Sequence, residues 1–202
     1  MKRSIFLIGL IIIVILFAQN SWTQGSLPTE KIRLPEGFQI EVYASGLKTA
    51  RGLSFAPDGT LFVGSKSGQV YAVRPNGQSL TVTGGLNMPV GVDYFEGDLY
   101  VSSLSEIVKI ENVLAKLGSD PKPTVLIDTL PRDRHHGWKF IKVGPDRKLY
   151  VPVGAPCNVC DSEDRRYASI LRMDLDGGGL ELVAGGVRNT VGFDWHPETE
   201  EL

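Results

Sequence analysis

Two of the three histidines in this 202-residue chain are adjacent, in the polar and aromatic stretch Asp133-Arg134-His135-His136-Gly137-Trp138-Lys139-Phe140. An imidazole titrates near neutral pH, which suits it to take a proton from a substrate hydroxyl. A second polar pair follows in Gly186-Val187-Arg188-Asn189. A guanidinium beside an amide can stabilise negative charge that develops on an oxygen. These residue types are those of a proton-abstracting site, if the fold brings them together.

A repeated pattern indicates how the fold would do so. Short β-branched and aromatic runs recur between Pro-Asp-Gly, Glu-Gly and Asn-Gly turns, in units of about 40–50 residues typical of β-propeller blades. The repeat predicts an all-β fold of antiparallel strands. A sandwich of similar hairpins is the alternative. The four units begin at Gly46, at Gly85, before Val143 and at Gly186.

The pattern also sets expectations for helix content and for completeness. Only Ile107 to Leu117 could hold a short helix, as a loop insertion ended by Gly118 and Pro121. About 177 residues follow Gly25, enough for three blades and part of a fourth, whereas closed propellers have four to eight. We therefore expect residues 26–202 to be a partial propeller domain, truncated at its C-terminus and inactive alone.

Alignment of the repeats puts four polar residues in one position. Lys48, His136 and Arg188 coincide at offsets of 88 and 140 residues, and Asn87 joins them from the second unit. The position precedes the first strand of each blade, which is innermost in a propeller, so the four side chains would surround one end of the central channel. A slip of one residue would substitute His135 for His136. The alternatives are a solvated histidine and an Arg188-Asn189 pair that only links blades.

The third unit carries a long loop that would overhang the same end. It holds both cysteines of the chain, Cys157 and Cys160. A structural disulfide is the favoured interpretation over a redox pair or half a zinc site, because no second Cys-x-x-Cys motif is present. The acidic residues Asp161, Glu163 and Asp164 are interpreted as a solvated loop face; calcium binding is the alternative, which no EF-hand spacing supports. The sequence therefore predicts no metal ligands within this chain.

The N-terminus indicates export. Lys2 and Arg3 precede an apolar run from Ile5 to Ala18, a pattern typical of a secretory signal over residues 1–25 and short for a membrane span. Retention as an uncleaved anchor is the alternative. We expect a periplasmic or extracellular protein in which the cysteines can oxidise. A formal charge of −2 and the lack of a basic stripe argue against nucleic acid as a partner.

Several motifs together resemble the pyrroloquinoline-quinone (PQQ)-dependent sugar dehydrogenases of the soluble glucose dehydrogenase and sorbosone dehydrogenase type. The resemblance runs from Leu34 to the end. It is carried by the motifs Leu34-Pro35-Glu36-Gly37-Phe38, Gly52-Leu53-Ser54-Phe55-Ala56-Pro57-Asp58-Gly59, His136 eight residues before Gly144-Pro145-Asp146, Cys157-Asn158-Val159-Cys160 and Gly186-Val187-Arg188-Asn189.

The resemblance implies a six-bladed propeller and an oxidoreductase that transfers hydride from a sugar to PQQ. His136 would be the catalytic base, with Arg188 and Asn189 binding the cofactor and Asn87 and His135 near the substrate. Calcium and the remaining cofactor ligands would lie beyond Leu202. A cytochrome or a quinone would accept the electrons.

Two rival functions remain. A calcium-dependent lactonase-like propeller would need carboxylates in the channel position that here carries Lys48, Asn87, His136 and Arg188. A non-enzymatic exported propeller would bind carbohydrate or protein, and replacing His136 would leave that binding intact.

Overall fold

The computed structural model describes residues 27–202. The predicted export signal therefore lies outside the described residues. The chain divides into a unit that ends at Val42 and a second unit from Tyr43 to Leu202. The described part of the first unit holds one 3-10 helix, Thr29–Lys31. Within residues 27–202, no helix has the length and apolar character that a membrane crossing requires.

The second unit consists of twelve strands in three four-stranded antiparallel sheets. Within each sheet the strands follow chain order, so each sheet is a meander of consecutive hairpins. This is the architecture of β-propeller blades, as the repeat predicted. The first blade contains β1 (Ala50–Phe55), β2 (Leu61–Ser65), β3 (Val70–Val73) and β4 (Ser79–Thr83); the second β5 (Val92–Phe95), β6 (Asp98–Ser102), β7 (Ile107–Ile110) and β8 (Thr124–Ile127); the third β9 (Lys142–Val143), β10 (Leu149–Val153), β11 (Ser169–Met173) and β12 (Glu181–Gly185).

Tight turns join the first two strands of each blade. Gly59 adopts φ of +83°, and the Asp58 carboxylate accepts hydrogen bonds from the Thr60 backbone N–H at 2.9 Å and from its hydroxyl at 3.1 Å. In the third blade Arg147 stands in the corresponding place with φ of +61°. Its guanidinium donates two hydrogen bonds to Glu96, at 2.7 and 2.6 Å. The turns thus lie at one end of the inner hairpins and leave the opposite end to the longer loops.

Apolar cores fill the spaces between neighbouring blades. Phe62 of the first blade stacks on Tyr94 of the second, with ring centroids 5.9 Å apart. Ile107 and Leu149 belong to a separate core between the second and third blades. Strand β5 contacts both β1 and β9, so the first strand of each blade is innermost, as expected.

A carboxylate joins the three inner strands. Asp93 accepts hydrogen bonds from the Ser54 hydroxyl at 3.0 Å and from the Val143 backbone N–H at 2.7 Å. Burial raises the pKa of Asp93, although both hydrogen bonds and nearby Lys142 oppose the shift. One side chain thereby fixes the relative register of all three blades.

Two expectations are refined. The helix predicted over Ile107 to Leu117 is confined to a 3-10 turn at Val113–Lys116, because Ile107–Ile110 pairs with its neighbours as β7. The fourth unit carries no strand in the described residues. Its Gly192–Trp195 segment packs through aromatic contacts instead, and Trp195 lies edge-on to Tyr150 at 4.9 Å.

Candidate active site

His136 is fixed by an unusual backbone and by close packing. Its φ is +52°, a left-handed conformation that non-glycine residues seldom adopt. It faces Gly154, where an added Cβ would lie 2.5 Å from the His136 Cβ and 2.9 Å from the Asn189 Oδ1. Only glycine at the end of β10 permits this approach. His136 and Asn189 therefore both pack against Gly154.

One hydrogen bond selects the tautomer of His136. Its Nδ1 lies 2.9 Å from the Ala155 carbonyl oxygen. A carbonyl can only accept, so Nδ1 carries the proton and donates it. In the neutral ring, Nε2 then holds a lone pair that can take a proton. The geometry suits a general base.

Arg188 is tied to the same place by backbone and side chain. The Ala155 backbone N–H donates to the Arg188 carbonyl at 2.8 Å, so one residue contacts both His136 and Arg188. The Arg188 guanidinium donates to the Asn158 Oδ1 at 2.8 Å, and the His135 Nε2 lies 3.1 Å from the same oxygen. The side chains of His135, His136, Asn158 and Arg188 therefore form one connected cluster, in which Ala155 links His136 to Arg188.

The long loop of the third blade supplies Asn158. The disulfide between Cys157 and Cys160 is present, which confirms that prediction. The bridge closes a short loop around Asn158. This loop lies over the cluster, as expected from the alternation of strand directions. In the sequence, Asn158 is only one position of the Cys157-Asn158-Val159-Cys160 motif, and nothing there indicates its role.

Lys139 is a buried cation that sequence analysis missed. It is 2% exposed, and its ammonium donates to the carbonyls of Leu104 at 2.5 Å, Gly137 at 3.0 Å and Pro131 at 3.4 Å. Burial lowers its pKa to about 8, against an opposing effect of Asp133. Lys139 thereby joins the histidine segment, at Pro131 and Gly137, to Leu104 of the second blade.

The other two residues of the aligned position lie outside this cluster. Among residues 27–202, Asn87 hydrogen-bonds only through its backbone, to Ser103 and Leu104, and Lys48 makes no hydrogen bond. The non-glycine residues with left-handed backbone before β1 and β5 are Thr49 and Met88, each directly after Lys48 or Asn87. By this criterion His136 corresponds to Thr49 and Met88, one residue later than the aligned position.

One cavity borders the cluster, and a second cavity adjoins it. The smaller has a volume of about 280 Å³ and the larger about 430 Å³, and Trp138 and Val191 line both. The smaller is also lined by Arg134, His135, His136 and Asn189. The larger reaches Arg51 on β1 and Phe140. Together they make a groove with the histidines at one end.

A second polar contact borders the histidine segment. The Tyr167 hydroxyl donates to the Asp133 carboxylate. Burial, followed by this hydrogen bond, raises the pKa of Tyr167 to about 12. The phenol therefore keeps its proton at neutral pH and donates it to the Asp133 carboxylate. In the part of the chain that the structure describes, no three His, Cys, Asp or Glu side chains are grouped as a metal site would require.

No family model matches the chain. An uncharacterised protein of Borreliella burgdorferi B31 is 32% identical over 185 residues, which cover 86% of this chain and 48% of that protein. The chain thus spans about half the length of this curated relative.

Solved structures share the fold. A provisionally named oxidoreductase (glucose dehydrogenase) of Thermus thermophilus aligns with a TM-score of 0.65 and 23% identity, over 81% of this chain and 59% of that one. The PQQ-bound aldose sugar dehydrogenase of Streptomyces coelicolor aligns at 0.55 and 23%, over 68% and 48%. The PQQ domain of Coprinopsis cinerea pyranose dehydrogenase aligns at 0.56 and 18%, over 65% and 34%. At these identities the likeness establishes the β-propeller fold.

Proposed function

We propose that this protein is an exported PQQ-dependent dehydrogenase that oxidises an aldose or a related sugar of the sorbosone type. The observation that carries the proposal is the His136 ring. Its Nδ1–H is committed to the Ala155 carbonyl at 2.9 Å, and the ring lines a cavity beside Asn189. Two of the similar solved structures bind PQQ by their own names, which makes this cofactor the natural candidate.

The donor groups of the site fit such a cofactor. PQQ is a planar ortho-quinone with three carboxylates, so it needs cations and amide or guanidinium donors. Arg134 and Asn189 line the histidine cavity, and Arg188 contacts the same cluster. Across the described range 27–202, neither Arg134 nor Arg188 forms an ion pair with a carboxylate. When bound, the quinone supplies the two-electron acceptor for the hydride that leaves the sugar carbon.

The chain's own residues carry the proton chemistry. The Nε2 of His136 accepts the hydroxyl proton as the carbon–oxygen double bond forms, and Ala155 stabilises the resulting imidazolium through the Nδ1–H bond. Asn158 holds the Arg188 guanidinium at 2.8 Å and limits its rotation. Arg188 is then fixed to stabilise negative charge that develops on a nearby oxygen.

Export, the sugar and the final electron acceptor complete the proposal. The basic and apolar start of the chain supports secretion, and a disulfide suits an oxidising compartment. A cytochrome or a quinone would reoxidise the cofactor.

The test uses the natural full-length protein with PQQ and calcium, assayed for aldose-dependent dye reduction. His136→Asn is the informative variant, because asparagine tolerates left-handed backbone and its amide N–H can still donate to Ala155. We expect kcat to fall by roughly a hundredfold or more, the scale of general base catalysis, with quinone affinity unchanged. His196→Asn, outside both cavities, is the matched control and should leave kcat unchanged.

Other outcomes discriminate between the rivals. Full activity of the His136→Asn variant would move the base to His135 or elsewhere. Sugar binding without any quinone binding would favour a non-enzymatic carbohydrate-binding propeller.

A further inference from the structure

Trp138 stands two residues after His136 and carries two cations on its ring. The Lys66 Nζ lies 3.9 Å from the ring centroid and the Arg51 Cζ lies 5.7 Å from it. The indole is 39% exposed and lines both cavities. Arg51 therefore borders the same groove as the proposed base, and Lys66 lies on the ring of Trp138, which lines that groove.

These two cations have no carboxylate partner among the described residues. The Arg51 side chain hydrogen-bonds only to the carbonyl of its neighbour Ala50, at 2.8 Å. Lys66 is half-buried, and its ammonium forms neither a hydrogen bond nor an ion pair there. Several other cations in the unit, although not Arg134 or Arg188, are paired with carboxylates. Those pairs include Lys109 with Asp98, Lys142 with Asp194, Lys148 with Asp174, Arg147 with Glu96, Arg166 with Asp164 and Arg172 with Glu181.

The backbone beneath both cations is fixed. The Lys66 N–H lies 3.2 Å from the Thr49 carbonyl oxygen and 3.1 Å from its hydroxyl oxygen. Next to Arg51, a Cβ added at Gly52 would lie 2.3 Å from the Val90 carbonyl oxygen, so β1 is pressed against the next blade. An anion that binds beside Trp138 would meet two cations that contact the same ring.

We propose that Lys66, Arg51 and Trp138 form a carboxylate-binding subsite that adjoins the His136 cavity. The larger cavity, about 430 Å³, is within the size range of small-molecule sites and is otherwise lined by apolar side chains and backbone. Two unpaired cations beside an aromatic face match a ring-shaped ligand that bears a carboxylate. This inference rests on the proposed function for the reaction in the adjoining His136 cavity.

The carboxylate has two sources. It belongs either to the sugar, which is then a uronate, or to the quinone cofactor. Both present the same group to the same two cations, and separate binding measurements distinguish them.

The experiment compares wild type, Lys66→Gln and Arg51→Gln, with Lys66→Arg as the conservative variant. Lys122→Gln is the matched control, because Lys122 is highly exposed and pairs only with Asp120. Calorimetry on the natural full-length protein without quinone gives the Kd of D-glucuronate and of D-glucose. A separate absorbance titration gives the Kd of PQQ.

For a sugar carboxylate, we expect glucuronate to bind wild type at least tenfold more tightly than glucose. Each Gln variant should lose roughly tenfold or more in glucuronate affinity, the scale of one charge-assisted hydrogen bond, and Lys66→Arg should restore it. If the carboxylate belongs to the cofactor, the Gln variants should instead weaken PQQ binding at least tenfold. The Kd values of glucuronate and glucose should then be similar to each other.

If neither Gln variant changes any Kd more than twofold, the subsite does not exist. That failure differs from failure of the dehydrogenase proposal. The dehydrogenase proposal fails when wild type binds no quinone, even if glucuronate binding depends on Lys66.

Discussion

Replacement of Lys139 by methionine removes the ammonium that joins the histidine segment to the second blade. Methionine fills a similar volume but offers no donor, so the carbonyls of Leu104, Gly137 and Pro131 lose the partner they have at 2.5, 3.0 and 3.4 Å. Lys139 is 2% exposed, so water cannot replace it without local opening. The substitution isolates the energetic role of one buried cation.

The expected loss follows from the two shorter bonds. A buried acceptor left without a donor costs about 1–3 kcal/mol, and the contact at 3.4 Å adds little. Relief from burying a charge offsets part of this cost. We expect the Met variant to lose about 2–4 kcal/mol of unfolding free energy at pH 7.

The pH dependence of the unfolding free energy is a second, independent test of the burial of Lys139. Burial lowers the pKa of Lys139 to about 8 from its ordinary 10.5. The folded protein therefore releases this proton before the unfolded chain does, and stability from this group rises as pH increases from about 8 to 10.5. The gap between wild type and the Met variant should widen over that interval, by up to about 3 kcal/mol.

Urea unfolding at pH 7, 8.5 and 10 measures both quantities. Lys122→Met is the control, because this exposed side chain should change stability by less than about 0.5 kcal/mol. A Met variant within about 0.5 kcal/mol of wild type at pH 7 would refute the role of the three carbonyl bonds. A gap that narrows with rising pH would refute the assigned effect of burial.

Three further predictions concern the fold and the site. Because burial raises the pKa of Asp93, wild type should lose stability relative to Asp93→Asn as pH rises from 3 to 7 in urea titrations, and a constant difference would contradict this. Gly154→Ala should displace His136, lower the free energy of unfolding by about 1–3 kcal/mol and lower kcat. The control Gly84→Ala, which meets only one side-chain atom at 3.7 Å, should leave kcat unchanged. Serine at both ends of the Cys157–Cys160 disulfide should lower kcat about tenfold and cost about 2 kcal/mol in thermal unfolding; unchanged kcat would show that the loop does not order the site.

Local sequence chemistry predicted most of the strands, for a physical reason. The turn that contains Gly59 depends on a few adjacent residues, so its signal is visible in one stretch of sequence. The segment Gly192–Trp195 repeats the pattern of β5 but forms no strand in the described residues. A strand requires a ladder partner, and periodicity within one segment cannot supply it.

The site was predictable where the repeat aligned it and obscure where tertiary contacts decide. The repeat indicated one end of the blades, where the structure links His136 and Arg188 through Ala155. The left-handed residues nevertheless place His136 one residue later than the repeat alignment did. In the sequence Lys139 resembles a surface charge, because its three acceptors come from separate segments. The role of Asn158 depends on a loop closed by a disulfide, which no periodicity encodes.

The most direct test of the proton-abstraction role is a single-turnover measurement. The quinone-loaded wild type and His136→Asn proteins are mixed with aldose, and reduction of the bound cofactor is followed by its absorbance. Our account predicts a rate constant lower by roughly a hundredfold or more in the variant, with unchanged cofactor occupancy and sugar affinity. Equal rate constants in the two proteins would contradict it.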